Sequence, residues 1–168
     1  MTYVDPLYVP MPDGPPPAVR PAPAPASGDF HTGDFRSASL HEAAHVVVAR
    51  ALGLHVVSVL ADGDGAGVTS TLYECGDAGS VMALAMATAA GVVLNRRLRV
   101  HESRHQDDLL FVASLQARYR DLHGRPMPCP FAGGGQILRE SGDAVFRLAA
   151  AMRPGRVYGA AEIDAMLA

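Results

Sequence analysis

Between residues 38 and 52 the apolar positions crowd too closely for a surface helix. Val46, Val47, Val48, Ala49, Ala51 and Leu52 run almost unbroken, with Gly53 as a stop. The pattern predicts a helix buried on most sides. Residues 55–60 and 67–73 carry β-branched side chains on either side of the Gly-rich stretch 61–66, which predicts two strands joined by a turn. Residues 78–95 contain no charged side chain but are rich in Ala, Gly and Thr, with few large apolar groups. They predict a buried core helix, about 79–98, in preference to a membrane span. Residues 107–122 read as an amphipathic helix whose inner stripe is Phe111, Val112, Leu115, Tyr119 and Leu122.

The ends of the chain read differently. Residues 1–36 hold nine of the 13 prolines, including Pro15–Pro16–Pro17, and predict a disordered or polyproline-like arm that acts as a spacer. Residues 124–135, with Pro126, Pro128, Pro130 and Gly133 to Gly135, read as a connector. Beyond it, 136–152 and 159–167 predict short helices that close the domain or support self-association. The fold class expected is mainly α (α+β). A compact helical core with a small β-hairpin spans 37–123, and a helical extension spans 136–168.

Composition changes this picture little. The 168 residues suffice for one compact domain plus a tail. The net charge of −3 gives no bulk electrostatic case for nucleic acid. The two cysteines, Cys75 and Cys129, form neither a CxxC pair nor a disulfide framework. The N-terminus lacks the basic start and apolar core of a signal peptide, so a cytoplasmic setting is expected.

The chemistry lies inside the first helix. Residues 41–45 read His-Glu-Ala-Ala-His, an HExxH pattern. Positions i and i+4 of an α-helix share a face, so His41 and His45 can present two imidazoles to one Zn2+ ion. Glu42 is placed to take a proton from water activated by that ion. A capping box, Ser39-x-x-Glu42, would explain Glu42 but neither histidine. A catalytic zinc site needs a third protein ligand. Extending the inner stripe of 107–122 back one turn lands on Asp108, an acid at the buried end of an apolar face that needs a partner. Asp107 falls on the wet face with Ser114, Arg118 and Asp121.

A second match, His-Glu-Ser-Arg-His at 101–105, has the wrong surroundings. Arg96, Arg97 and Arg99 precede it, and Arg104 lies inside it, next to where a dication would sit. It reads as a chance match in a polar loop or helix start, with His105 as a possible extra ligand. His31, His55 and His123 stand alone, without spacing that would make them ligands.

These residues together resemble the peptidase domain of FtsH-type, ATP-dependent zinc proteases. His41 to Val48 is similar to that family's HEAGH helix, with Ala44 in place of glycine. Gly67-Val68-Thr69 resembles its GVT strand, and residues 90–98 resemble its GGRxAEE helix without the acidic pair. Asp107-Asp108-Leu109 falls where the family has Asn-Asp-Leu, so the resemblance makes Asp108 the third ligand. It implies a zincin-like metallopeptidase, a hydrolase of peptides or unfolded protein segments. Gly67, Val68 and Thr69 are then candidate substrate-binding residues on a strand edge. A nucleotide-binding P-loop needs a lysine and this chain has none, so a stand-alone protease is expected, or one served by an ATPase partner in trans. The rival reading is a non-catalytic zinc-stabilised module that uses the Pro-rich arm to engage a protein partner.

Overall fold

The computed structural model describes residues 32–98 and 105–168, with side chains from residues 35 and 106 onward in the two stretches. The protein is mainly α with a small antiparallel sheet. The first helix, α1 (Thr32–Ala51), is followed by strands β1 (His55–Ala61) and β2 (Gly67–Leu72). Four helices come next: α2 (Ala78–Leu98), α3 (His105–His123), α4 (Pro130–Glu140) and α5 (Gly142–Ala151). Strand β3 (Arg156–Gly159) and helix α6 (Ala160–Leu167) complete the order.

α1 is enclosed, as the crowded apolar run requires. Every residue from Glu42 to Ala49 is buried, with α2, α5, β1 and β2 packed around it. It ends in a Schellman arrangement: Gly53 at φ 76° lets the Leu54 N–H reach the Ala49 carbonyl at 2.9 Å. α1 begins at Thr32, so residues 32–36, expected in the arm, are helical. Ser39 is therefore inside the helix and cannot cap it. Its hydroxyl donates back to the Arg36 carbonyl at 3.0 Å, the intrahelical bond open to a serine with no free N–H ahead of it.

β1 is the centre of the sheet, paired antiparallel with β2 on one side and β3 on the other. Val59 faces the core and pairs with Thr69 and Tyr158, whereas Leu60 pairs with the exposed Val68 and Val157 on the outer face. The β1–β2 turn is fixed by Asp62, whose carboxylate accepts from the Asp64 and Ala66 N–H groups at 3.0 and 2.8 Å. The third strand was not expected from the sequence. It is held by Tyr158, 1% exposed, and by its pairing with β1.

α2 is the hub. It packs against α1, α3 and α4, and 61% of its most apolar window is buried within the protein. This is the one helix among the described residues long and apolar enough to cross a membrane. α3 presents Val112, Leu115 and Tyr119 inward as the stripe predicts, but Leu122, near its C-terminal end, is 36% exposed. The connector ends earlier than expected, because Gly133 to Gly135 belong to α4. A Cβ at Gly134 would lie 2.5 Å from the Met86 carbonyl oxygen, so the bare backbone lets α4 approach α2 closely. Close approach to α2 thus offsets the poor intrinsic helix preference of three glycines.

Candidate metal centre

The helical spacing that joins His41 and His45 brings their rings to 4.5 Å between centroids, edge to face. The two Nε2 atoms stand 2.9 Å apart. α3 delivers Asp108 from across α2: its Oδ2 lies 2.9 Å from His41 Nε2 and 3.6 Å from His45 Nε2. Asp107 sits on the exposed side and lines the cleft rim instead. The stripe argument and the geometry therefore select the same aspartate.

Two carboxylates compete for a third place. His41, Glu42 and His45 offer ligand atoms within 4.8 Å of one another and could hold a metal ion. Asp108 Oδ2 is closer to both imidazoles than that limit, and the Glu42 carboxylate accepts a 2.6 Å hydrogen bond from the Thr69 hydroxyl. The circle through the two Nε2 atoms and Oδ2 has a radius of about 1.9 Å, just under the 2.0–2.1 Å zinc–nitrogen distance, so one ion can reach all three. Among the described residues the donors gathered here are two imidazoles and the carboxylates of Asp108 and Glu42, and a set of two imidazoles and one carboxylate suits a site open to water.

Neighbouring groups orient the rings. The His45 Nδ1–H donates to the Ala87 carbonyl at 2.9 Å, which turns the Nε2 lone pair of the neutral ring toward the cluster. Asn95, fully buried on α2, places its amide nitrogen 3.1 Å from His41 Nδ1, so His41 Nε2–H donates to Asp108. Ligation through His41 Nε2 requires the other tautomer, with the Asn95 amide turned to accept from Nδ1–H. Gly91 makes room for both rings. A Cβ there would lie 2.6 Å from His41 Cε1 and 2.7 Å from His45 Cε1.

Charge in the cluster is strongly redistributed. Burial alone would lower the His45 pKa, but its hydrogen bond to Asp108 and the charges of Glu42 and Asp108 outweigh that and push it up to about 9. Burial alone would raise Asp108, yet the hydrogen bonds from His41 and His45 hold its carboxyl far below the usual carboxylate range.

The cluster opens into a cleft of about 270 Å³. Gly67, Val68 and Thr69 of β2 form one wall, with Leu84 and Phe111 among the residues opposite. Glu42 is 5% exposed and reaches this cleft, and Gly67 is its neighbour: a Cβ on Gly67 would lie 2.4 Å from Glu42 Cγ. Sequence reasoning did not assign roles to Asn95 or to the Ala87 carbonyl. The signal for Asn95 was a lone amide at the end of an otherwise apolar helix; a backbone carbonyl has no sequence signal.

The remaining candidates lie elsewhere. Residues 101–104 of the second HExxH lie outside the described residues, as does the side chain of His105. His31 is also outside them, and His55 and His123 are exposed. Neither Cys75 nor Cys129 is in a disulfide. No protein-family model matches the chain, and neither curated proteins nor solved structures give a match.

Proposed function

We propose that this chain is a zinc metallopeptidase domain of the FtsH type, hydrolysing peptide bonds in peptides or unstructured protein segments. One observation carries the reading. Two imidazole nitrogens and the Asp108 carboxylate converge at ligand spacing, with Glu42 buried beside them at the mouth of a cleft. A site built only to stabilise the fold would close all four positions with protein ligands and would have no use for Glu42.

His41, His45 and Asp108 are the residues that hold the ion. Zinc in such a site supplies Lewis-acid polarisation of a carbonyl and makes water reactive near neutral pH. Glu42 accepts a proton from the attacking water and delivers it to the leaving amine nitrogen, so one carboxylate serves as base and then as acid. Buried walls strengthen each of these electrostatic steps. β2 is the edge of the sheet, with β1 as its only strand partner among the described residues. An extended peptide adding to that edge would be gripped by main-chain hydrogen bonds, which tolerate many sequences. A folded substrate needs prior unfolding, and an ATPase partner in trans is the source we propose.

Elemental mass spectrometry and a casein-derived peptide assay, with and without chelator, test the reading. One zinc per chain with chelator-sensitive cleavage is expected. Glu42→Gln should keep the zinc and cut hydrolysis by about a thousandfold, within the usual range for loss of a general base. Zinc without cleavage by the wild type would leave a zinc-stabilised binding module; no zinc after reconstitution would remove the metal reading altogether.

A further inference from the structure

The wall of the cleft formed by β2 does more than border it. Thr69 was expected to contact substrate, but its hydroxyl donates to Glu42 Oε2 at 2.6 Å. That distance is at the short end for an O–H donor to a carboxylate, the range of charge-assisted bonds. The same oxygen lies 3.5 Å from the Glu42 backbone carbonyl, so Thr69 is seated against the start of the HExxH segment through both main chain and side chain. Thr69 pairs across the sheet with Val59, which is fully buried. Its side chain is therefore fixed on the inner face by strand register, and β-branching further limits its χ1.

We infer that Thr69 is a positioning residue for Glu42, and that strand β2 sets the place of the base as well as the edge on which a peptide lies. This rests on the peptidase reading above. The Glu42 side chain has several rotatable bonds, and two features of β2 help to set them: the Thr69 hydroxyl takes one carboxylate oxygen, and Gly67 leaves the space in which the Glu42 methylene packs. Alternation along the strand keeps these two inward-facing residues on one side of exposed Val68. A peptide added to the edge of β2 is thereby indexed to the base through a single strand.

The test compares Thr69→Val, which keeps the shape and removes the hydroxyl, with Thr69→Ser, which keeps the hydroxyl. Each is measured as the zinc-loaded full chain. Three readouts are taken: zinc content, kcat and KM on a peptide, and calorimetric binding of acetohydroxamate, a chelator that gives its proton to a neighbouring carboxylate when it docks on zinc. Thr69→Val should retain zinc, lose about tenfold in kcat with KM unchanged, and bind acetohydroxamate several-fold more weakly. Thr69→Ser should recover most of both losses, and Glu42→Gln should mark the lower limit.

A Thr69→Val protein equal to wild type in kcat and acetohydroxamate affinity overturns the positioning role while leaving the peptidase reading intact. Loss of zinc in that variant overturns it too, since the strand would then be supporting the metal cluster. A wild type that takes up no zinc, or takes it up and neither cleaves peptide nor binds acetohydroxamate, removes the peptidase reading and this inference with it.

Discussion

Two helices supply the candidate metal ligands, and they are held in opposite ways. α1 contributes His41 and His45 from a largely buried helix packed against α2, α5 and the sheet. α3 contributes Asp108 from its first turn, and its principal packing partner is α2. Its outer face is wet, with Leu110 61% exposed. The imidazoles are thus part of the core, whereas the carboxylate is brought to the core by a peripheral helix. In the zinc site proposed above, this arrangement would keep the nitrogen donors fixed and leave the oxygen donor to carry the adjustment.

The comparison can be broken most directly by removing one ligand from each helix. Both His45→Ala and Asp108→Ala should lose zinc. Their costs to the metal-free fold should differ: at pH 9, His45→Ala should destabilise by about 2–4 kcal/mol, as for deletion of a buried ring. Asp108→Ala should stay within about 1 kcal/mol at that pH, as for a partly exposed site. Urea unfolding of both variants measures this, and equal costs would show that α3 is as integral to the core as α1.

Gly91→Ala asks whether the fixed pair is truly fixed. The added methyl meets both imidazoles, and they can yield only by leaving their positions. Zinc affinity should fall by about 10- to 100-fold, the scale seen when groups supporting the ligands are disturbed, although no ligand has been replaced. Competition with a chromogenic chelator would read it; unchanged affinity would mean the α1 rings have slack.

Proton linkage sharpens the contrast further. His45 is raised to about 9 from an ordinary 6.5, so its contribution to the metal-free fold is complete below pH 6.5 and is lost as pH rises toward 9. Asp108 is depressed, so its contribution is present above pH ~4 and is lost in acid. Metal-free protein should therefore lose up to a few kcal/mol between pH 6.5 and 9, and the cost of Asp108→Ala should shrink over the same window. Zinc affinity should rise there, because the proton on His45 must leave first. Thermal melts of metal-free and zinc-loaded protein across that range check the sign.

The smallest effect is expected at the far end of α1, where Arg50 pairs with Asp164 of α6. Asp164 is 61% exposed, so Arg50→Ala should cost no more than about 1 kcal/mol by denaturant melt.

Several of these features are legible in the sequence alone. The i, i+4 spacing of His41 and His45 is a consequence of helical pitch alone. The apolar stripe of α3 pointed to Asp108, because an amphipathic helix has only one inner face. The Gly-rich turn at 61–66 marked the β1–β2 hairpin. β3 was invisible because four residues, Arg156 to Gly159, are too few to establish a period, and pairing with β1 decides their conformation. Gly133 to Gly135 read as connector because propensity favours that, and tertiary contact with Met86 overrode it. The hydroxyl of Thr69 and the amide of Asn95 act across 27 and 54 residues of sequence, and no local pattern encodes a contact at that range.

Gly91 has a use beyond this molecule. Short HExxH strings arise by chance, as the arginine-flanked example at 101–105 illustrates. A glycine on a second apolar helix, at the point where both imidazoles dock, adds a steric requirement independent of the ligands. Searching genomes for the histidine pair, then such a glycine, then an acid opening the following amphipathic helix would filter on steric necessity rather than on ligand identity. Diverged chains that share this centre should surface by the residue they lack a side chain for.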